Sequence, residues 1–209
     1  VSASLWRDIA TLTLEHLQLA GWALLVACLL ALPLGVWITR RPTARRLAIG
    51  LANILQTIPS LALLGFLIPV PLIGGLGPRP AVTALVLYAL LPILRNTVTG
   101  LTTVDPAVLE SAAAMGFSAR QTLWWVELPL ASRTILAGVR LAAVATIGTA
   151  TIAAAIGGGG LGVLIFRGVA TVDHFQILAG AVPAALLALG ADALLGWIEN
   201  GWIAKRFSP

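Results

Sequence analysis

A chain of 209 residues that is 59% apolar and 10% charged, with a mean hydropathy of +0.98, is too oily to fold as a soluble domain. Its 13 Lys and Arg against 8 Asp and Glu leave a net charge of +5, yet no basic run exceeds two residues and no aromatics interleave with one, which excludes a nucleic-acid groove. The single cysteine, Cys28, lies in an apolar run, so an intrachain disulfide framework and a cysteine cluster for zinc are excluded and packing is its expected role.

The expected fold is an all-α transmembrane bundle of five spans, in one domain over residues 1–209. Residues 17–38 form the first apolar run, long enough at about 1.5 Å per residue to cross a hydrocarbon core of about 30 Å. Arg7, Asp8 and Glu15 precede a stretch of full spanning length, unlike the layout of a cleaved signal peptide, so this span is expected to stay in the mature protein. Arg40, Arg41, Arg45 and Arg46 follow it directly. Residues 47–70 make the second span, with Pro59 inside it, and a turn-rich stretch from Pro69 to Pro78 ends it. The third span is 81–104. Segment 105–133 then interrupts the apolar character with Glu110, Arg120 and Glu127, as short helices outside the bilayer would; Asp105 before Pro106 suits an N-cap with proline at the first helical position. The fourth span, 134–156, stops at Gly157, Gly158, Gly159 and Gly160, and the fifth is 177–198.

Orientation follows from the cations, because cytoplasmic loops carry the Lys and Arg excess. With the amino terminus outside, the inner segments hold Arg40, Arg41, Arg45, Arg46, Arg120, Arg133, Lys205 and Arg206, and the outer ones only Arg7, Arg79 and Arg167. Segment 105–133 is therefore cytoplasmic. Arg95, Arg140 and Asp192 all fall in the cytoplasmic half of their spans, and an unpaired charge there is costly, so a structural ion pair of Asp192 with one of the two arginines is expected. His16 and His174 lie near outer span ends, too far apart in sequence for a metal site, and interfacial polar roles are expected.

Within the cytoplasmic segment, Glu110-Ser111-Ala112, then three residues, then Gly116, then nine residues, then Val126-Glu127-Leu128-Pro129 follow one another. Small residues at 111–114 let a helix backbone press closely into a groove, Gly116 allows a sharp turn, and Pro129 would stop a second short helix. An interfacial helix anchored by Trp124 and Trp125 accounts for the aromatics but not for the Ala-Gly spacing. The pattern resembles the coupling-loop signature of ABC importer permeases, E-A-A, three residues, G, nine residues, I-x-L-P, with Ser111 for the first Ala and Val126 for the Ile. The stretches Gln56-Thr57-Ile58-Pro59-Ser60-Leu61-Ala62 and Ile147-Gly148-Thr149-Ala150-Thr151, leading into Gly157–Gly162, resemble the branch that imports glycine betaine, carnitine, choline and related osmoprotectants such as proline betaine.

This resemblance covers residues 17–198. It implies a type I five-helix core in the bacterial cytoplasmic membrane, an ATPase-coupling role for Glu110, Ser111, Ala112, Ala113, Gly116, Val126, Leu128 and Pro129, and no enzymatic activity in the chain itself. Implied partners are a cytoplasmic ABC ATPase that binds ATP and Mg, a second permease copy or paralogue, an extracytoplasmic substrate-binding protein and membrane lipid. The chain has no G-x-x-x-x-G-K-S/T phosphate loop, and Gly157, Gly159 and Gly162 fit G-x-G-x-x-G only after a spanning helix, without the strand that a dinucleotide site needs. Those glycines are expected instead to form a tight external turn, Gly157 to Gly160 serving an outer gate or the docking of the binding protein. Polar groups that interrupt spans tend to face a bundle interior, which nominates Asn53, Gln56, Thr57, Ser60, Asn96, Thr97, Thr146 and Thr149 for the translocation path; hydrogen bonding between spans accounts for the same residues equally well. The alternatives are a permease for another small amino-acid-like solute and a stand-alone secondary transporter, though no internal repeat or coupling-ion cluster is visible.

Overall fold

The computed structural model describes residues 3–203, and over that range the chain is helical with no strand; the cytoplasmic Lys205 and Arg206 lie outside the described residues. Helix α1 (Ala3–Thr39) begins far upstream of the apolar run and extends about 55 Å at 1.5 Å per residue, more than a bilayer core. Ala23, Ala27 and Ala31 recur every fourth residue on one face and are fully buried, whereas Trp22, Leu25, Leu29, Leu30 and Trp37 are exposed on the other, as a lipid-facing surface requires. Cys28 packs at the edge of the buried core.

The expected second span is broken. Helix α2 (Pro42–Thr57) and helix α3 (Ser60–Leu67) meet at a 100° bend. Pro59 disfavours the helical region for the residue before it, and Ile58 is extended at φ −73°, ψ 125°. Helix α4 (Pro78–Thr102) is the central element. It meets α1 where a Cβ on Gly35 would lie 2.7 Å from Thr97 Cγ2. It meets helix α7 (Leu128–Ala150) where a Cβ on Gly138 would lie 2.4 Å from Asn96 Cβ and 2.9 Å from the Pro92 carbonyl oxygen. Small residues thus permit close approach at both crossings, the packing mode favoured where lipid removes the hydrophobic drive between helices.

Two short helices, α5 (Pro106–Ala114) and α6 (Ala119–Thr122), connect α4 to α7. A π-helical turn, Leu123–Glu127, leads from α6 straight into α7, so the helical stretch passes through Pro129 instead of stopping there. The fourth crossing accordingly starts earlier than residue 134. Its outer end tightens into a 3-10 turn (Thr151–Ile156), and beyond the glycines an unanticipated helix α8 (Gly162–Thr171) lies before α9 (His174–Ile198). Helix α9 begins at His174 because Asp173 caps it, accepting from the Phe175 and Gln176 amides. Among the described residues four helices are individually long and apolar enough to span a membrane, and the bent pair α2 and α3 is a candidate for a fifth crossing.

Ionic contacts fasten α9 to α7. Arg140 donates side-on to Asp192, Nε to Oδ1 at 2.6 Å and Nη2 to Oδ2 at 2.7 Å, and reaches Glu199 one face further along at 3.4 Å, where Arg133 also arrives. Gly196 leaves room for the guanidinium, since a Cβ there would lie 3.0 Å from Arg140 Nη1. Arg95 takes no part in this pairing.

Two measurements check this packing. Gly138→Ala should lower the thermal stability of the detergent-solubilised protein by about 1–3 kcal/mol, because the added methyl meets backbone that cannot yield. Gly21→Ala, on the open face of α1 with nothing within 4 Å, should be neutral or slightly stabilising. Reversing Arg140 to Asp alone should depress the melting temperature, and adding Asp192→Arg should restore most of the loss; a double variant as unstable as the single would show that the pair does not tie α9 down.

Candidate functional site

A proline in a helix leaves the carbonyl four residues earlier without its donor. In α4 that proline is Pro92 and the stranded carbonyl belongs to Tyr88. Gln56, at the end of α2, donates its Nε2 amide to this oxygen at 3.1 Å. In return the Tyr88 hydroxyl donates to the Ile58 carbonyl, which the helix break has stranded in the same way. Two backbone defects on facing elements are thus satisfied by each other's side chains, as hydrocarbon surroundings demand.

Beside this brace, α2, α4 and α7 enclose a cavity of about 320 Å³ lined in part by Gln56, Tyr88, Arg95, Asn96, Thr146 and Thr149. It brings together four of the eight path candidates. Asn96 is held by its own helix, donating Nδ2 to the Pro92 carbonyl at 2.8 Å. Ser60, carried away by the bend, lines only a narrow neighbouring cleft with Tyr88 and Thr149. Asn53 is exposed on α2 away from the cavity, and Thr57 bonds back to the Ile54 carbonyl. Thr97 does not line this cavity: it is 1% exposed, bonded to the Ile93 carbonyl and pressed against Gly35 of α1. Tyr88 and Arg95 are the cavity residues that the polar-residue count overlooked. The signal was present, since Tyr88, Pro92 and Arg95 share one face at helical spacing.

On the outer side, the residues after α7 close a compact corner. The change from α to 3-10 pairing gives the Thr151 amide to Gly148, so the Ile147 carbonyl loses its helical donor. His16 supplies one: it is fully buried, not interfacial, and its Nε2 donates to Ile147 O at 2.9 Å, which fixes the tautomer. Next to it, Glu15 Oε2 accepts from the Gly160 amide at 3.0 Å. Gly157, Gly159 and Gly160 have φ of +77°, +83° and +76°, conformations that side chains rarely adopt, and a Cβ on Gly158 would lie 2.8 Å from the Ala153 carbonyl oxygen. The Gly77 amide donates to Ile156 O at 2.8 Å, joining the start of α4 to this corner. Gly157, Gly158 and Gly159 border an open cleft with Glu15, Gln18 and Trp22.

At the cytoplasmic end, Asp105 Oδ1 accepts from the Ala107 amide and starts α5. The helix closes with the Phe117 amide on Ala112 O and the Gly116 amide on Ala113 O, Gly116 standing at φ +83°. This double closure is the Schellman arrangement. Ser118 and Gln121 form a reciprocal capping box that opens α6 at once. Glu110, Ser111, Ala113 and Gly116 are exposed, Ala112 is buried, and Val126, Leu128 and Pro129 are half-buried where the segment joins α7. Met115, Phe117, Trp124 and Trp125 present apolar surface at 68%, 37%, 60% and 75% exposure. Arg40, at the end of α1, donates to both oxygens of the nearly buried Glu127 at 2.9 and 3.0 Å, so the arginine cluster and this segment share one side of the bundle.

The family described as binding-protein-dependent transport system inner membrane component matches residues 31–204. The carnitine transport permease protein OpuCD of Listeria monocytogenes is 48% identical over 187 residues, 89% of this chain and 82% of that one. The osmoprotectant import permease protein OsmW of Salmonella typhimurium is 45% identical over 189 residues, 90% of this chain and 88% of that one. Among solved structures, the MetNI methionine ABC transporter in an inward-facing conformation shares the fold with a TM-score of 0.79, at 22% identity and over 94% of this chain and 98% of that one. With a match over most of its length and relatives well above the range where likeness speaks only for fold, the chain belongs to the family of binding-protein-dependent transport system inner membrane components.

Proposed function

We propose that this chain forms the translocation path for a quaternary-ammonium osmoprotectant such as glycine betaine, carnitine, choline or proline betaine, and that a separate cytoplasmic ATPase, holding ATP and Mg, drives it. Two permease chains, identical or paralogous, enclose the path, and an extracytoplasmic binding protein delivers the solute. The observation that carries the coupling half of this reading is the build of residues 105–129: a capped helix, a left-handed glycine and a second capped helix, joined without a flexible link to α7. Such a segment moves as a lever. Its exposed Glu110, Ser111, Ala113 and Met115 are available to a groove on the motor, and Glu127 ties its far end to α1 through Arg40.

The names of the relatives, which include carnitine, choline and osmoprotectant permeases, support the solute class. A small cavity at the meeting of α2, α4 and α7, mostly apolar with several polar groups in its walls, suits a compact solute in passage. The glycine corner at 157–160, pinned by Glu15 and His16, is the segment that an outer gate or a docked binding protein would move.

Gly116 tests the lever, because its surroundings are open and only its backbone conformation restricts substitution. Gly116→Val should place on the order of 1–3 kcal/mol of strain on the turn and cut ATP-driven uptake severalfold, with membrane insertion intact. Gly116→Asn, which tolerates the left-handed region, should keep most of the uptake. Normal transport by the valine variant would remove the lever assignment.

A further inference from the structure

Arg95 is exposed to the cavity on the inner half of α4, and no hydrogen bond or ion pair engages it among the described residues. A guanidinium in a spanning helix needs an anionic partner or a watered cavity, and here, with no partner of its own, it presents its N–H groups to whatever enters the cavity. The chain's own acids are accounted for elsewhere. Glu127 belongs to Arg40, Asp192 and Glu199 to Arg140 and Arg133, and Glu15 to the Gly160 amide. Asp105 and Asp173 cap helices, Asp8 lies near the outer start of α1, and Glu110 is in the cytoplasmic segment. A second copy of the same chain therefore brings no free carboxylate into the spans either.

Two helical turns closer to the outside, on the same face of α4, the cavity wall is Tyr88, held in place by its bond to Ile58. The positions of Tyr88 and Arg95 on the helix stand about 10 Å apart along the axis. An aromatic face at one end and a guanidinium at the other match a zwitterion whose cation cannot donate a hydrogen bond. A quaternary ammonium is attracted to the ring, and a carboxylate is gripped by the two parallel N–H groups of arginine. A solute with the ammonium alone gains only the first contact and is repelled by the second.

We infer that Arg95 is a specificity-determining residue of the path, receiving the carboxylate of a zwitterionic osmolyte and disfavouring a solute that is purely cationic. This rests on the osmoprotectant reading above and adds a preference within it. In passage, Tyr88 holds the ammonium end while Arg95 takes the carboxylate from the outer half of the cavity towards the cytoplasm.

The test is initial uptake of labelled glycine betaine and of labelled choline into proteoliposomes containing the complete importer, at saturating binding protein, with Arg95→Gln and Arg95→Lys beside the unsubstituted chain. Arg95→Gln should lower glycine betaine uptake at least about tenfold, the scale of one charged hydrogen-bonded contact, while choline uptake holds or rises. Arg95→Lys should fall between the two, because it keeps the charge and loses the fork. Stimulation of ATP hydrolysis by the binding protein should persist in both variants, which separates loss of selectivity from loss of folding. Unchanged glycine betaine uptake in Arg95→Gln, or an equal fall for both solutes, would overturn the assignment and leave the osmoprotectant reading in place. An unsubstituted importer that carries neither solute would instead remove the osmoprotectant reading, and this inference with it.

Discussion

A helix that breaks inside hydrocarbon strands carbonyls and amides that water cannot reach, and in this chain a specific side chain meets each of three such carbonyls and an amide beside them. Pro92 strands the Tyr88 carbonyl, and Gln56 answers it; the bend at Pro59 strands the Ile58 carbonyl, and the Tyr88 hydroxyl answers that. The 3-10 turn strands the Ile147 carbonyl, and a buried His16 donates to it, while Glu15 accepts from the Gly160 amide nearby. The arrangement around α4 follows from these bonds. They fix α2 against α4 and hold the outer corner against α1, and the polar groups they recruit are the ones that border open space.

The bundle consequently has two kinds of contact. Where α4 meets α1 and α7 directly, at Gly35, Gly100 and Gly138, the elements approach closely, Gly35 against the Thr97 side chain and the other two against backbone carbonyls and Cβ atoms. Where α4 meets the end of α2, Gln56 and Tyr88 bridge the two and a cavity remains beside α7, while Leu63, Leu64 and Leu67 of α3 pack into the apolar core. Rigid crossings beside a looser, polar seam are what a protein needs if some spans are to tilt against others. The cytoplasmic segment joins the rigid part, because its π-helical exit continues into α7 and Glu127 fastens it to Arg40 of α1. The segment is thus tied to two spans, α7 and α1, at once.

Much of this was legible from residue order. Apolar run length located the crossings, cation placement set the cytoplasmic side, Asp105-Pro106 marked the start of α5, and the charge cost in a span pointed to Asp192 with an arginine. What escaped has physical reasons. A proline within a span is compatible with a mild kink or a full break, and the hydrogen bonds that accompany the 100° bend join Gln56 and Ile58 to Tyr88, residues that local sequence does not connect. Helix α8 is too short to register as a span and follows a glycine run that reads as a turn. Pro129 ends a helix or lies within a helical stretch according to what precedes it, and the π-helical turn before it has no sequence mark. Thr97 and Thr146 look alike in sequence; only the direction of their helix faces sends one to Gly35 and the other to the cavity.

The polar seam between α2, α4 and α7 as the route of the solute is most directly tested by cysteine accessibility along α4. Cys28 is the only cysteine among the 209 residues, so replacing it clears them of native thiols. Single cysteines at Tyr88, Arg95 and Thr97, and at Leu29 on the lipid face of α1, would be challenged with a small hydrophilic thiol reagent in the assembled importer. Positions 88 and 95 should react and be protected by transported solute, with 97 and 29 silent. Reaction at 97 with silence at 95 would place the water-filled route on the other side of α4 and contradict the account.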